Sequence, residues 1–344
     1  MRAVAKHLYA ALAILSLLAG LVSILPRAAL AGPLEDGTAA YRRDDYATAL
    51  RLLRPLADQG VAGAQLVLGF MYHNGEGVPQ DLAQSAQWMR KAAEQGNAAA
   101  EASLGGMYLA GEGVPKNEDE AVQWLRKGAE QGVPPAQFAL GSLENAHGNI
   151  AEALKWYRLA AAAGDEQAQN NLGNMYETGH GVPQNYAEAA NWYRRAATQG
   201  LATAQYNLGI LYDDGHGVVR DYREAAKWYR LAAAQGDADA QYNLGVLYDD
   251  GHGVPRDDAE AAKWFRLSAD QGDMQAQDNL GTLYARGDGV PKDIVQAYMW
   301  FALSAAQGNS VAVDNLKAAA DSMTPAQIAA AKDLARQWKA KPPQ

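Results

Sequence analysis

The sequence predicts an all-α protein that folds as a solenoid of tandem helix–turn–helix repeats. Three observations support this prediction: one motif recurs at a fixed period, each copy holds two stretches with helical apolar spacing, and glycine-rich loops separate the stretches. The period is marked by Trp88, Trp124, Trp156, Trp192, Trp228, Trp264 and Trp300, which are 36 residues apart except for one spacing of 32. Because a lone pair of helices cannot bury both of its apolar stripes, neighbouring pairs are expected to stack on one another.

The first element, residues 1–31, is predicted to be a signal peptide. Arg2 and Lys6 give it a basic start, residues 8–25 form an apolar run, and residues 29–31 read Ala-Leu-Ala, the small-x-small pattern of a cleavage site. An uncleaved membrane anchor is the alternative, since about twenty apolar residues span a bilayer. We expect cleavage and export to the periplasm, with secretion as the alternative and no stable membrane insertion afterwards.

The first helix of each repeat, which we call helix A, is seen most clearly in the repeat that begins at Leu201. Its apolar residues recur at i, i+4, i+7 and i+8, at Ala204, Leu208, Leu211 and Tyr212. Gly209 lies inside this stripe, although a glycine within a helix costs about 1 kcal/mol relative to alanine. Since the Leu-Gly pair recurs in the other repeats, we expect the partner helix to pass too close for a side chain there. Residues 215–218, Gly-His-Gly-Val, form the loop that ends the helix.

The second helix, helix B, is predicted to begin after Asp221. The Asp221 carboxylate is expected to cap free backbone N–H groups while Glu224 reaches back to the N-cap, a variant of the capping box. Gly236 is expected to end the helix in a left-handed conformation. The predicted buried residues are Tyr222, Ala225, Tyr229 and Ala232 with Trp228 beside them, together with the recurring helix-A tyrosines Tyr176, Tyr212, Tyr248 and Tyr284.

A final helix is predicted after the last repeat. Residues 324–327, Thr-Pro-Ala-Gln, combine a capping box with a proline at the first helical position. One face of the helix that follows carries Ile328, Ala331, Ala335 and Trp338. We expect it to cover the apolar face of the last repeat, as the end of a solenoid requires.

Four motifs return together in most repeats: Ala-Gln-x-x-Leu-Gly-x-x-Tyr, Gly-x-Gly-Val-Pro, Ala-x-x-Trp-Tyr and Ala-Ala-x-Gln-Gly. They resemble the Sel1-like repeat family, a branch of the tetratricopeptide class. The resemblance implies a right-handed α/α solenoid that serves as a protein-binding adaptor, in exported bacterial members for envelope signalling, host interaction or assembly. On this basis the chain divides into a short tetratricopeptide-like repeat (32–60), seven Sel1-like repeats (61–308, with 133–164 shortened) and capping helices with a tail (309–344).

Composition and motifs argue against several other functions. The chain has no cysteine, which excludes disulfides, thiolate metal sites and a cysteine nucleophile. Its net charge of −9 opposes nucleic-acid binding. Ser-x-x-Lys, Gly-x-Ser-x-Gly, the phosphate-binding Gly-x-x-x-x-Gly-Lys and His-Glu-x-x-His are all absent, so we expect no enzyme and no cofactor. An envelope hydrolase of the β-lactamase or peptidoglycan-active type and a scaffold for polysaccharide export remain the alternative functions.

Two polar patterns could be taken for metal sites. His180, His216 and His252 lie in Gly-His-Gly loops, but other repeats place Glu or Asp at that position. Equivalent points on successive repeats are also about 10–20 Å apart, whereas zinc ligands lie about 2 Å from the metal. The Asp-Asp pairs at residues 213–214 and 249–250 lack the other ligands of a calcium loop. We therefore expect solvated loops and no metal.

The candidate binding residues lie on helix A, at positions that vary between otherwise similar repeats. One such position holds Tyr206 and Tyr242, and an asparagine series follows it at Asn171, Asn207, Asn243 and Asn279. A row of amides can donate to and accept from the backbone of an extended peptide. We therefore predict that a protein or peptide partner binds here, in a groove lined by the A helices. The alternative is that these amides bond neighbouring helices and only stabilise the solenoid.

Overall fold

A computed structural model describes residues 32–342 of the chain. The expected signal peptide, residues 1–31, lies outside the described residues. Within them the chain forms eighteen α-helices and no strand, and none of these helices is long and apolar enough to cross a membrane. The A helices are α1 (Pro33–Arg42), α3 (Ala62–Asn74), α5 (Ala98–Ala110), α7 (Pro134–Ala146), α9 (Glu166–Thr178), α11 (Ala202–Asp214), α13 (Ala238–Asp250) and α15 (Met274–Arg286). The B helices are α2 (Tyr46–Asp58), α4 (Leu82–Ala93), α6 (Glu118–Glu130), α8 (Ile150–Ala162), α10 (Tyr186–Thr198), α12 (Tyr222–Ala233), α14 (Asp258–Gln271) and α16 (Ile294–Ala306), followed by α17 (Ser310–Asp321) and α18 (Pro325–Gln337).

The helices form two compact units. The N-terminal unit ends at Leu172 and the C-terminal unit begins at Gly173. Within the units the A helices α1, α3, α5, α7, α11, α13 and α15 each pack on their own B helix, as the repeat pattern predicts. The B helices α2, α4, α6, α10, α12 and α14 each pack on the A helix that follows. The helical solenoid predicted from the sequence is therefore confirmed.

Helix ends follow the capping residues closely. Asp221 accepts backbone hydrogen bonds from Arg223 and Glu224 at 2.9 and 3.2 Å, so the predicted N-cap of α12 is confirmed. The prediction that Glu224 reaches back to the N-cap backbone is wrong, because its carboxylate binds the Lys227 ammonium at 3.0 Å instead. At the start of α18, Thr324 and residue 327 do form both halves of the box. Gly236 is left-handed (φ 90°) but follows the C-cap by two residues.

Each Leu-Gly glycine faces a large side chain from the B helix of its own repeat. A Cβ placed on Gly209 would lie 2.6 Å from the Tyr229 ring, and one on Gly105 would lie 2.7 Å from Leu125. The same position is filled by Met89, Tyr157, Tyr193, Phe265 and Phe301 in the other repeats. The predicted close approach of the B helix to each of these glycines is confirmed, and the atoms nearest the glycine belong mainly to a side chain of that helix.

The second glycine of five Gly-x-Gly loops, at residues 77, 113, 217, 253 and 289, touches the backbone of the preceding repeat. A Cβ on Gly113 would lie 1.9 Å from the carbonyl oxygen of Leu82, the first residue of α4. Gly217 and Gly253 approach the main chain of Tyr186 and Tyr222 in the same way. The loop therefore sets the distance between consecutive repeats.

Five of the seven recurring tryptophans are buried, as predicted: Trp88, Trp124, Trp156, Trp228 and Trp300. Trp192 and Trp264 are half-buried. The helix-A tyrosines, which were predicted to be buried, are also half-buried, and several of their hydroxyls reach an arginine of the preceding B helix. Tyr212 accepts a hydrogen bond from Arg194 at 3.0 Å, and Tyr248 accepts one from Arg230 at 3.0 Å.

The C-terminal helix covers the last repeat as expected. Helix α18 packs on α16, with Ala331 fully buried. The Trp338 ring meets Trp300 edge-on, with ring centroids 6.3 Å apart. Beyond the helix, the ammonium of Lys341 lies 2.8 Å from the Asp270 carboxylate, which fixes the tail against α14.

Replacing Asp165 with asparagine is expected to stabilise the protein at neutral pH. Asp165 accepts a hydrogen bond from the Ala168 N–H at 2.7 Å, and burial, reinforced by the negative charge of Glu166, raises the pKa of its carboxyl from 3.8 to about 6. Because the folded-state pKa is the higher one, this carboxyl favours folding below about pH 4 and loses that contribution as the pH rises through 6. Asn97 and Asn309 accept the same N-cap hydrogen bonds at equivalent positions without a charge.

Urea unfolding of wild type and Asp165→Asn measures this effect. The variant should gain about 2 kcal/mol in the free energy of unfolding above pH 7 and nothing near pH 4. An equal difference between the two proteins at both pH values would contradict the burial of a charged carboxylate.

Candidate functional site

The helix-A face of the C-terminal unit brings together the residues that the sequence singles out. On α13 the stripe Asp239, Tyr242, Val246 and Asp249 follows helical spacing and therefore lies on one side of the helix. The equivalent residues on α11 are Tyr206, Ile210 and Asp213, and on α15 they are Asp278 and Thr282. We call this set of nine residues the helix-A face.

Tyr206 and Tyr242 lie at the centre of the helix-A face. Both are half-buried, and each ring rests against the aromatic ring that fills the Leu-Gly position of its own repeat. Tyr206 is 6.0 Å from Tyr229 and Tyr242 is 5.9 Å from Phe265, measured between ring centroids. Burial, followed by the nearby carboxylate of Asp239, raises the pKa of Tyr206 to about 12. The hydroxyl therefore stays neutral and keeps its proton to donate.

The asparagine series is divided between the two units. The Asn243 amide acts on the hydroxyl of Tyr206 from the preceding repeat and lowers its pKa, and Asn279 acts on Tyr242 in the same way. Asn207 is half-buried in α11, while Asn171 is half-buried in the part of α9 that belongs to the N-terminal unit. At Asn243 and Asn279 the amides thus lie beside tyrosines of the neighbouring A helix, which favours the alternative that they stabilise the solenoid. Binding of a peptide by the four amides stays a prediction.

Negative charge surrounds the tyrosines. Burial and the adjacent Asp214 raise the pKa of Asp213, even though the Tyr229 hydroxyl lies 3.2 Å from its carboxylate and favours the charged form. Burial and the neighbouring Asp250 likewise raise the pKa of Asp249. Arg220 acts against this rise at Asp213, and Arg256 and Arg286 act against it at Asp249. A further cation approaching the helix-A face would favour the charged form of both carboxylates.

Several of the equivalent positions in the N-terminal unit are closed. Leu66, Phe70 and Phe138 are only 4–7% exposed there, whereas Ser142 and Asn170 are half-buried. In the C-terminal unit Tyr206 and Val246 are half-buried at the same positions, and Asp278 is buried. From the sequence alone, the closed and the half-buried positions were grouped together as variable positions. The change from Leu and Phe in the first repeats to Tyr and Asn in later ones could have distinguished the two kinds of position.

Two of the loop histidines stack on tyrosines of the preceding repeat. His216 stacks on Tyr186 with ring centroids 4.9 Å apart, and His252 stacks on Tyr222 at the same distance. In residues 32–342 no group of three or more His, Cys, Asp or Glu side chains is placed to hold a metal ion. The rings instead rest on the B helix of the preceding repeat, beside the glycines that set the distance between repeats.

Comparison with known proteins agrees with the repeat pattern. A family model described as Sel1 repeat matches residues 28–61, 62–97, 98–133, 134–165, 166–201, 202–237, 238–273 and 275–309. Among solved structures, a Sel1 repeat protein from Oxalobacter formigenes is 31% identical, with a TM-score of 0.61 over 88% of this chain and 99% of that chain. A protective antigen of uropathogenic Escherichia coli strains, which displays an SLR fold, is 30% identical, with a TM-score of 0.54 over 89% of this chain and 91% of that chain. Comparison with curated proteins gave no match.

Proposed function

Since this chain belongs to the Sel1 repeat family, whose members generally mediate protein–protein interactions, we propose that it is an exported, non-enzymatic adaptor that binds a protein or extended peptide on its helix-A face. The observation that supports this proposal most is the accessible row of Tyr206, Ile210, Tyr242 and Val246 in the C-terminal unit. Rings and aliphatic side chains that are only half-buried give a partner apolar area to cover, while the carboxylates at the edges stay solvated.

The proposed location is the bacterial periplasm, where the adaptor would act in envelope signalling or assembly. The basic start, apolar run and Ala-Leu-Ala of residues 1–31 support export. A protective antigen is among the similar solved structures, which favours an exported location for this chain as well.

Site-specific photocrosslinking in intact cells tests the proposed face. A photoreactive amino acid at Ile210 or at Val246 is expected to capture the same partner, whereas one at the exposed Leu231 on helix B of the same unit should not. Mass spectrometry of the crosslinked bands identifies the partner. Capture at Leu231 with none at Ile210 and Val246 would move the binding surface to the B helices.

A substitution test complements the crosslinking. Tyr206→Ala combined with Tyr242→Ala is expected to reduce recovery of that partner from periplasmic extract at least tenfold, since buried aromatic anchors often contribute 2 kcal/mol or more to binding. Asn207→Ala combined with Asn243→Ala tests the amide series separately. If recovery is unchanged in both double variants while Leu231→Ala lowers it, the helix-A face is not the binding site.

A further inference from the structure

We propose that the helix-A face of the C-terminal unit selects an extended, cationic polypeptide segment in which Lys or Arg residues alternate with apolar residues. This inference rests on the proposed function and adds the chemical class of the partner. It follows from the distribution of charge over the repeat, from the accessible apolar centre of the face and from the spacing of its A helices.

The charges of the C-terminal unit are segregated by helix. Helices α11 and α13 carry Asp213, Asp214, Asp239, Asp249 and Asp250 and neither lysine nor arginine. The B helices α10, α12 and α14 carry basic residues such as Arg194, Lys227, Arg230, Lys263 and Arg266. Arg220, Arg256 and Arg286 lie near Asp213 and Asp249 and offset part of their charge. Helices α11 and α13 themselves carry only negative charge, which favours a positively charged partner.

The basic residues of the B helices are already engaged elsewhere. Arg230 donates to Tyr248 at 3.0 Å, and the Lys227 ammonium lies over the Trp228 ring at 5.1 Å while binding Glu224. Lys263 is held in the same way by Trp264 and Glu260. The two lysines are therefore held on the B helices, and Arg230 is engaged by a tyrosine of α13 that lies outside the helix-A face.

The centre of the face offers apolar contact between the charges. On α13 a carboxylate at each end, Asp239 and Asp249, flanks Tyr242 and Val246, and the row is about 15 Å long at 1.5 Å per residue. A chain that crosses the row can bury apolar side chains against the ring and the valine while its cations reach the carboxylates. An anionic chain would meet like charges at both ends of the row.

The spacing of the A helices favours an extended partner. The Asn243 amide of α13 lies close enough to the Tyr206 hydroxyl of α11 to lower its pKa, so the two A helices are neighbours. Equivalent points on neighbouring repeats are about 10–20 Å apart, and a polyproline II chain rises about 3.1 Å per residue. Cations at every third residue lie about 9 Å apart and alternate ones about 18 Å apart, so an extended chain can place cations at the spacing of the repeats.

The probe is a fluorescein-labelled (Lys-Pro-Val)4 peptide, titrated with the full mature chain and followed by fluorescence anisotropy. We expect saturable binding that weakens severalfold between 50 and 300 mM salt, and binding of the (Glu-Pro-Val)4 peptide that is at least tenfold weaker. Asp239→Asn with Asp249→Asn should weaken binding of the lysine peptide about tenfold. Circular dichroism and the thermal midpoint verify that this variant is folded.

A charge-matched control separates a site from general attraction. Asp119→Asn with Glu130→Gln changes the net charge equally on the exposed surface of α6, in the N-terminal unit, and should leave peptide affinity unchanged. Equal loss in both double variants, or equal affinity for both peptides, overturns the proposal. If the lysine peptide fails to bind while residues 210 and 246 still crosslink a partner, the proposed function holds and the partner is not cationic. If both experiments fail, the helix-A face is not a binding site.

Discussion

Gly113→Ala is expected to lower the free energy of unfolding by about 3 kcal/mol or more, because two penalties coincide at this residue. Its φ is +69°, a left-handed conformation that an L-residue adopts only with strain. The added Cβ would also lie 1.9 Å from the Leu82 carbonyl oxygen, and a backbone atom cannot move aside as a side-chain end can. Relief requires the repeat that contains Gly113 to move away from the repeat that contains Leu82.

Gly96→Ala is the matched control for this substitution. Gly96 has a similar φ of +80°, but nothing lies within 4 Å of the added Cβ. It should therefore show only the left-handed penalty of about 1 kcal/mol. Urea unfolding followed by circular dichroism compares the two variants, and equal losses would mean that the loop does not hold consecutive repeats together. Because contacts in a solenoid are between neighbours, Gly113→Ala should also broaden the transition.

Phe265→Ala is expected to cost about 3–5 kcal/mol, the usual range for truncating a fully buried phenylalanine. Phe265 is 0% exposed and fills the space left by Gly245, where a Cβ would lie 2.7 Å from the ring. Phe265→Leu should cost about 1 kcal/mol, since Leu125 fills the same position against Gly105. Thermal and urea unfolding measure both variants.

A double-mutant cycle shows whether the glycine and the ring are matched in size. Gly245→Ala alone should destabilise the protein by about 1–3 kcal/mol through overpacking. In the Phe265→Ala background the same methyl group enters the cavity, so the double variant should be more stable than the sum of the two single losses predicts. Strict additivity would show that residues 245 and 265 do not compete for the same volume.

The Phe265 substitutions also connect the core to the binding face. Tyr242 rests on the Phe265 ring, at 5.9 Å between centroids. Removing that ring takes away the support of Tyr242, so Phe265→Ala should weaken binding of the lysine peptide as well as stability. Phe265→Leu should retain most of the binding, because a branched side chain still supports the tyrosine.

Local patterns in the sequence predicted local features well and failed where a second partner competed. The Thr324 capping box forms as predicted, because its two members are three residues apart and bond to each other rather than to another side chain. At Asp221 the same spacing did not give a full box, since Lys227 draws the Glu224 carboxylate away. The Leu-Gly glycines were correctly predicted to mark a close approach, yet the approaching side chain lies twenty residues further on, as Tyr229 does for Gly209.

By itself the sequence determined the repeat period, the helix pairs, the covering C-terminal helix and the positions of the variable residues on helix A. These depend on spacings within a few helical turns, where apolar periodicity, caps and glycines act directly. Only the tertiary structure decided that Leu66 and Phe138 are closed off whereas Tyr206 and Tyr242 are half-buried, and that the Asn243 amide lies beside the Tyr206 hydroxyl. Burial and hydrogen bonding at these positions depend on side chains from the neighbouring repeat, which periodicity within one helix does not specify.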